Sequence, residues 1–308
     1  MRSGQRVRAA IAVATAVTVA AVGGCSSAPS TGGSTGTSAP VGIAVVTTTD
    51  VWGSVVAQIG GSHVHVTAMI TDPAADPHSF EASGQNQLAV AKAQLIVENG
   101  GGYDDFIDTM IASADAKAPV INAVTASGYP APADGQLNEH VWYDFPTVSR
   151  VASAVAAALS TIDSPNAADY LANATTFNQA LDTLIAREAT IKAAHGGAGV
   201  AVTEPVPLYL VAAAGLVNKT PAEFSRAVEE GTDVPATVLS DTVKLFTDHQ
   251  VEALVYNDQT TGPQTDAVLA AAKTSGVAIV PVTETLPVGK DYLEWMTDNV
   301  TALAAALT

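Results

Sequence analysis

The longest periodic segment of the chain lies at residues 168–194 and reads ADYLANATTFNQALDTLIAREATIKAA. Its apolar residues recur at spacings of three, four and seven, the pattern of a helix that buries one face. These residues are Tyr170, Ala174, Phe177, Leu181, Leu184 and Ile191. Because strand and helix patterns alternate on both sides of it, this one helix divides the sequence into two halves and joins them.

Short apolar runs bounded by polar residues predict strands in both halves. The first half has predicted strands at 42–48, 64–70, 94–98 and 119–123, with helices at 51–59, 85–93 and 103–112. The second half has predicted strands at 199–203, 237–239, 253–257 and 277–282, with helices at 208–214, 241–249, 264–274 and 292–307. Such alternation is typical of parallel sheets covered on both faces. We therefore predict an α/β fold of two Rossmann-like lobes joined by one long α-helix, which would permit only a small relative movement.

The first 24 residues have the three parts of a secretory signal peptide. Three arginines precede an apolar run at residues 9–22, and Gly23 and Gly24 follow it. The run is shorter than the roughly 20 residues that cross a bilayer, which argues against a permanent membrane helix. We also expect no later segment to be long and apolar enough to cross.

Cys25 directly follows this segment and is the only cysteine of the chain, so no internal disulfide can form. Its setting resembles the lipobox of bacterial lipoproteins, whereas the plainer interpretation is a chance cysteine near an ordinary cleavage site. A Ser/Thr/Gly/Pro-rich segment follows, which is typical of a flexible tether. We predict lipidation at Cys25 and the following organisation: signal peptide 1–24, tether 25–40, N-terminal lobe 41–165, linking helix 166–196 and C-terminal lobe 197–308.

The composition is that of a globular, acidic protein. Hydrophobic residues make up 48% of the chain, and the formal net charge is −17. A surface of this sign repels phosphate backbones, so nucleic acid is not an expected partner. The acidity suits a cation-binding protein, although many proteins carry it for solubility alone.

Strong metal ligands follow several of the predicted strands. In parallel α/β sheets, ligands bind beyond the carboxyl ends of the strands. His78 and His140 occupy such positions in the first half, and Glu204, Asp258 and Glu284 occupy them in the second. Two imidazoles and two carboxylates would form a four-ligand site for a divalent transition metal in the cleft between the lobes. Taken singly, each residue also has a plainer interpretation as a solvated histidine or a surface carboxylate.

The segments around these residues resemble a known family. DPHSFE at 76–81 matches the pattern D-P-H-x-[YF]-E, and NEHVWYD at 138–144 matches N-P-H-x-W-x-D except for Glu139 in place of proline. EPVPLYL at 204–210 and DYLEWMTDN at 291–299 are similar to later segments of the same family. From residue 42 to its end, the chain resembles the metal-binding lipoproteins of zinc and manganese ABC importers, the cluster A-I solute-binding proteins.

The resemblance implies a transport role and a set of ligands. It implies His78, His140, Glu204 and Glu284 as metal ligands, with Asp258 in a polar turn rather than at the metal. The cargo would be one Zn²⁺ or Mn²⁺ per chain, delivered to the permease and ATPase subunits of an importer. The protein would be a non-enzymatic monomer, anchored through Cys25 at the cell surface or on the periplasmic side of the bacterial cytoplasmic membrane.

Two other features bear on the choice of metal. Many zinc-binding members have a third histidine where this chain has Glu204, and many have a His-rich loop where residues 122–136 contain no histidine. Carboxylate oxygen favours manganese, whereas the general order of metal affinities favours zinc. The sequence leans towards manganese.

Two alternative functions remain at this point. The first is a surface adhesin in which the metal only fastens the lobes together. The second is a zinc hydrolase, which would need an open coordination position for water. A closed four-ligand site and the absence of a His-Glu-x-x-His motif argue against the hydrolase.

Overall fold

The computed structural model of the chain describes residues 42–72, 80–130 and 137–308. The predicted signal peptide, the lipidation site Cys25 and the tether lie outside these residues, and so does the predicted ligand His78. The described part contains two four-stranded sheets, in which every pair of neighbouring strands is parallel.

The two sheets have the same strand order. The N-terminal sheet has the order β2-β1-β3-β4, and the C-terminal sheet has the order β6-β5-β7-β8. The N-terminal elements are β1 (Ile43–Thr49), α1 (Asp50–Gly60), β2 (Val64–Ile70), α2 (Gly84–Lys92), β3 (Leu95–Glu98), α3 (Phe106–Ala114), β4 (Val120–Asn122) and α4 (Ala123–Ser127). Two long helices follow, α5 (Phe145–Ile162) and α6 (Ala167–His195). The C-terminal elements are β5 (Gly199–Val202), α7 (Leu208–Ala213), β6 (Val217–Asn218), α8 (Ala222–Glu229), α9 (Ala236–Thr247), β7 (Ala253–Asn257), α10 (Pro263–Thr274), β8 (Ala278–Val282) and α11 (Tyr292–Ala306). This architecture confirms the predicted α/β fold of two lobes joined by a long helix.

One apolar core extends beneath both sheets. Side chains alternate between the two faces of a strand, so Val45 of β1 faces this shared core while Val46 faces a smaller cluster of the N-terminal lobe. In β5, Val200 faces the shared core and Ala201 faces a separate C-terminal cluster. Each sheet therefore buries one face against its own outer helices and the other against the core that both lobes share.

The linking helix α6 buries the face that the sequence predicted. All six of the predicted apolar residues are buried, and Glu188 is buried with them. Helix α6 packs along α5, whose own buried face includes Val151, Val155 and Leu159.

The prediction that no segment after the signal peptide could cross a membrane needs a correction. Within the described ranges, α5 is long and apolar enough by its 18-residue length and its mean hydropathy of 1.3. Its apolar face lies against α6 and α1 in the shared core, as in a core helix of a globular protein.

The strand predicted at 237–239 is wrong. These residues belong to α9, and the strand that completes the C-terminal sheet is β6. The β-branched residues Thr237 and Val238 favour a strand by propensity, but Pro235 at the N-cap favours the start of a helix. Burial of Leu245 and Phe246, one helical turn after the buried Thr242, then stabilises α9 against the sheet.

Hydrogen bonds between loops hold the two lobes against each other. The Tyr143 hydroxyl donates to the Thr283 carbonyl at 2.7 Å, and the backbone N–H of Leu286 donates to Asp50 Oδ1 at 3.2 Å.

In both sheets the strand order reverses direction between the first and third strands, β1 and β3 or β5 and β7. Ligands bind at such reversal points in open α/β sheets, which directs attention to the loops that follow these strands.

Candidate metal centre

His140 lies directly before a 3-10 turn, Val141–Tyr143, and its side chain is 1% exposed. Its Nδ1 lies 2.7 Å from Oδ1 of Asn138. A hydrogen bond from Asn138 Nδ2 to the Pro205 carbonyl, at 3.0 Å, fixes the orientation of the Asn138 amide. Oδ1 of Asn138 is therefore the acceptor, so the proton of the neutral imidazole is on Nδ1. This tautomer presents the Nε2 lone pair for coordination, as in most histidine ligands of metals.

The same asparagine joins the His140 loop to the C-terminal lobe. Pro205, whose carbonyl accepts from Asn138, directly follows the predicted ligand Glu204. The Tyr209 hydroxyl of α7 donates to the Asn138 backbone carbonyl at 2.7 Å. These bonds hold the His140 loop beside the end of β5.

Glu204 follows β5 with one residue between and is 2% exposed. Its Oε2 accepts a hydrogen bond from Asn257 Nδ2 at 2.5 Å. Burial raises the pKa of Glu204 to about 7, although hydrogen bonds from Asn257 and Thr260 oppose the shift. The carboxylate form of this side chain is therefore costly in the absence of a cation.

Glu284 lies two residues beyond β8, and its carboxylate contacts both lobes. Oε1 accepts from Asn257 Nδ2 at 3.1 Å, and Oε2 accepts from the Tyr103 hydroxyl of the N-terminal lobe at 3.4 Å. Its backbone N–H donates to Gln259 Oε1 at 2.7 Å. Glu284 and Glu204 thus share one amide donor, which places the two predicted carboxylates side by side.

Asn257 is the residue that brings these carboxylates together. It ends β7, is 1% exposed, and accepts at Oδ1 from the backbone N–H of Gln259 at 3.1 Å. That bond fixes the amide so that Nδ2 faces the carboxylates. The sequence predicted Asn257 only as the last residue of a strand. Its position at the carboxyl end of a central strand was the signal that could have identified it.

Asp258 does not join this group. It is exposed, and its backbone N–H donates to the Val282 carbonyl at 3.1 Å, which continues the pairing of β7 with β8. The alternation of side chains along an extended chain turns Asp258 away when Asn257 faces inward.

Two further glutamates reach the site without having been predicted. Ligand atoms of Glu139, His140 and Glu229 all lie within 4.8 Å of one another, and Glu229 Oε1 lies 3.7 Å from His140 Nε2. Burial raises the pKa of Glu229 to about 8, and the charges of Glu139, Glu204 and Glu284 add to the shift. Glu229 was missed because no pattern predicted α8. The buried apolar residues Phe224, Ala227 and Val228 on one face of that helix were the available signal.

Aromatic rings line the N-terminal side of the site. Trp142 and Tyr103 lie 5.0 Å and 6.0 Å from the His140 ring, centroid to centroid, and 4.9 Å from each other. Both are about 1% exposed. A surrounding of this kind lowers the local dielectric constant and strengthens the attraction between carboxylates and a bound cation. One imidazole and several carboxylates from two lobes therefore form a centre suited to a divalent transition metal.

Known proteins resemble this chain in sequence and in fold. The sequence model of the family described as periplasmic component A of the zinc-uptake complex, ZnuA, matches residues 45–306. The manganese-binding lipoprotein MntA of Halalkalibacterium halodurans is 26% identical over 143 residues. That alignment covers 46% of this chain and 47% of MntA, so the chain matches about half the length of this curated relative.

Solved structures share the fold at low identity. The periplasmic zinc-binding protein TroA from Treponema pallidum aligns with a TM-score of 0.71 and 19% identity, over 86% of this chain and 98% of TroA. A mutant structure of the laminin-binding adhesin Lmb from Streptococcus agalactiae aligns with a TM-score of 0.73 and 20% identity, over 87% of this chain and all of Lmb.

Proposed function

Because the chain belongs to the ZnuA family of periplasmic zinc-uptake components, we propose that it captures one Zn²⁺ or Mn²⁺ outside the cytoplasm and delivers it to an ABC importer. The proposed ligands are His78, His140, Glu204 and Glu284. The metal is the cargo of transport and takes part in no reaction, so the protein is not an enzyme.

One observation carries this proposal. The loop of His140 is bonded through Asn138 to Pro205, which follows Glu204, and Asn257 donates to both Glu204 and Glu284. Second-shell bonds of this kind are typical of metal ligands. Metal analysis of protein purified without added metal tests the proposal, with about one zinc or manganese per chain as the expected result.

The proposed partners are the permease and ATPase subunits of a metal importer. The chain would act as a monomer held at the outer side of the cytoplasmic membrane by a lipid on Cys25. The family match supports the importer, and the name of the manganese-binding relative supports the lipoprotein.

Removal of one carboxylate should distinguish the proposed ligand from its neighbour. Glu284→Ala is expected to weaken metal binding at least tenfold, a loss of about 1.4 kcal/mol, because it removes a carboxylate next to Glu204. Asp258→Ala is the matched control and should change the affinity by less than threefold, since Asp258 is exposed. Competition titration against a chelator measures both. The reverse order of effects would move the site to Asp258.

A second substitution tests the anchor. Cys25→Ala should move the protein from the membrane fraction to the aqueous fraction, or block its processing, because stable anchoring requires acyl chains on this residue. Fractionation of cells followed by mass determination of the N-terminus measures the outcome. Full retention of Cys25→Ala in the membrane at mature size would contradict lipidation.

Adhesion is the second candidate function, since an adhesin shares this fold. Growth of cells that depend on scarce zinc or manganese distinguishes the two functions. A transport protein should restore growth of a deletion strain, and a variant of its metal ligands should not. Loss of adhesion without loss of growth would favour the adhesin.

A further inference from the structure

Glu229 occupies an unfavourable position for a carboxylate. It is the last residue of α8, where the helix dipole disfavours negative charge. Its side chain is 18% exposed, and its Oε1 is fully buried without a hydrogen-bond partner among the residues that the structure describes. A buried carboxylate oxygen that lacks a donor is unfavourable, because no hydrogen bond replaces the water that it has lost.

The neighbours of Glu229 add to this cost. The charges that act on it come from other carboxylates, those of Glu139, Glu204 and Glu284 among them. Like charges at short distance repel each other strongly where water is excluded. A divalent cation between Glu229 and His140 would relieve the repulsion and supply the missing partner for Oε1.

The backbone holds Glu229 in this place. Gly231, two residues after the end of α8, has a φ of +61°, a conformation that glycine adopts without strain. The N–H of Gly231 donates to the Val228 carbonyl, and the N–H of Thr232 donates to the Ala227 carbonyl. These two bonds form a Schellman end, so the last turn of α8 directs Glu229 towards His140 instead of fraying into solvent.

We propose that Glu229 is a further ligand of the cargo metal and that it biases the site towards manganese over zinc. This inference rests on the proposed function. Zinc in protein sites is usually satisfied by four ligands, whereas manganese prefers six and favours oxygen. Glu229 supplies an additional oxygen ligand from the end of α8 in the C-terminal lobe, which gives a larger and more oxygen-rich coordination shell.

The test compares two adjacent glutamates. Glu229→Gln keeps the size of the side chain and removes its charge, and Glu230→Gln makes the same change on the neighbouring exposed residue. Affinities of the metal-free full chain for Mn²⁺ and for Zn²⁺ are measured by competition with a chelator. Glu229→Gln should weaken Mn²⁺ binding at least tenfold and Zn²⁺ binding less than threefold, while Glu230→Gln should match the unsubstituted protein for both metals.

X-ray absorption of the Mn²⁺-loaded protein supplies a second measurement, in which Glu229→Gln should show a changed set of oxygen ligands. If the two glutamine variants behave alike while the unsubstituted protein binds metal, the role of Glu229 is wrong and the proposed function stands. An equal loss for both metals in Glu229→Gln overturns the manganese bias. Failure of the unsubstituted protein to bind either metal overturns the proposed function itself.

Discussion

A hundredfold excess of Zn²⁺ or Mn²⁺ over its dissociation constant is expected to stabilise the folded protein by about 2.7 kcal/mol. The reason is that the proposed ligands come from both lobes, His140 from one and Glu204 and Glu284 from the other, so metal would bind only the folded protein. For a folded protein of this size the melting temperature should rise by roughly 5–10 °C. Differential scanning calorimetry with and without metal measures the shift.

Calcium and magnesium provide the control for this result. Imidazole is a poor ligand for these ions, so neither should move the melting temperature by a comparable amount. Identical melting curves with and without zinc and manganese at neutral pH would contradict the proposed metal site.

The metal-induced shift should also depend on pH. The pKa values of Glu204 and Glu229, raised to about 7 and about 8, mean that both side chains hold protons in the metal-free protein at pH 6. Metal must displace these protons, because carboxylates bind metal in the ionised form. The shift should therefore grow as the pH rises from 6 to 8. A shift that is constant over this range would contradict ligation by these two glutamates.

The second large effect is expected at Glu188, in the middle of the linking helix. This residue is 3% exposed, its Oε1 has no hydrogen-bond partner in the described part of the chain, and burial raises its pKa to about 8. The charge of Asp144 adds to the shift. Between pH 5 and pH 8 the unfolded chain ionises at this position while the folded protein keeps its proton, so stability falls as the pH rises.

Glu188→Gln should remove this loss of stability at high pH. Compared with the unsubstituted protein, the variant is expected to have a similar free energy of unfolding at pH 5 and a larger one at pH 9, by on the order of 2 kcal/mol. Urea denaturation of the metal-free protein at both pH values measures the difference. Asp182→Asn, an exposed change on the same helix, should have no such effect. A gain in Glu188→Gln that is equal at pH 5 and pH 9 would contradict the titration.

The sequence predicted the elements whose periodicity is strong. Helix α6 was located to within a residue at each end because its apolar stripe continues from Tyr170 to Ile191, about six turns. The N-terminal strands were located because each is a short apolar run. His140, Glu204 and Glu284 remain predicted ligands, chosen because each follows a strand or lies within a specific motif. The sequence could not place Glu188 among the buried residues, since an ionisable residue on an apolar stripe is normally assigned to its edge.

The missed parts of the site depend on contacts distant in sequence. Glu229 reaches His140 only because α8 ends where it does, and α8 is a short helix of eight residues. Asn257 bridges Glu204 and Glu284 across 53 and 27 residues of sequence. The prediction at 237–239 failed for a similar reason, since packing of α9 on the sheet outweighed the strand propensity of two β-branched residues.

The core that runs beneath both sheets limits how such a protein can diversify. A chimera that took one lobe from a relative would set unmatched side chains against each other along α5, α6 and α11. Each misfit in a packed core costs about 1–3 kcal/mol, so a handful would cancel the stability of the whole. The loops beyond the strands carry the proposed ligands and lie outside this constraint. Changes of metal preference within this fold are therefore expected to arise by point substitution in those loops, and not by recombination of halves.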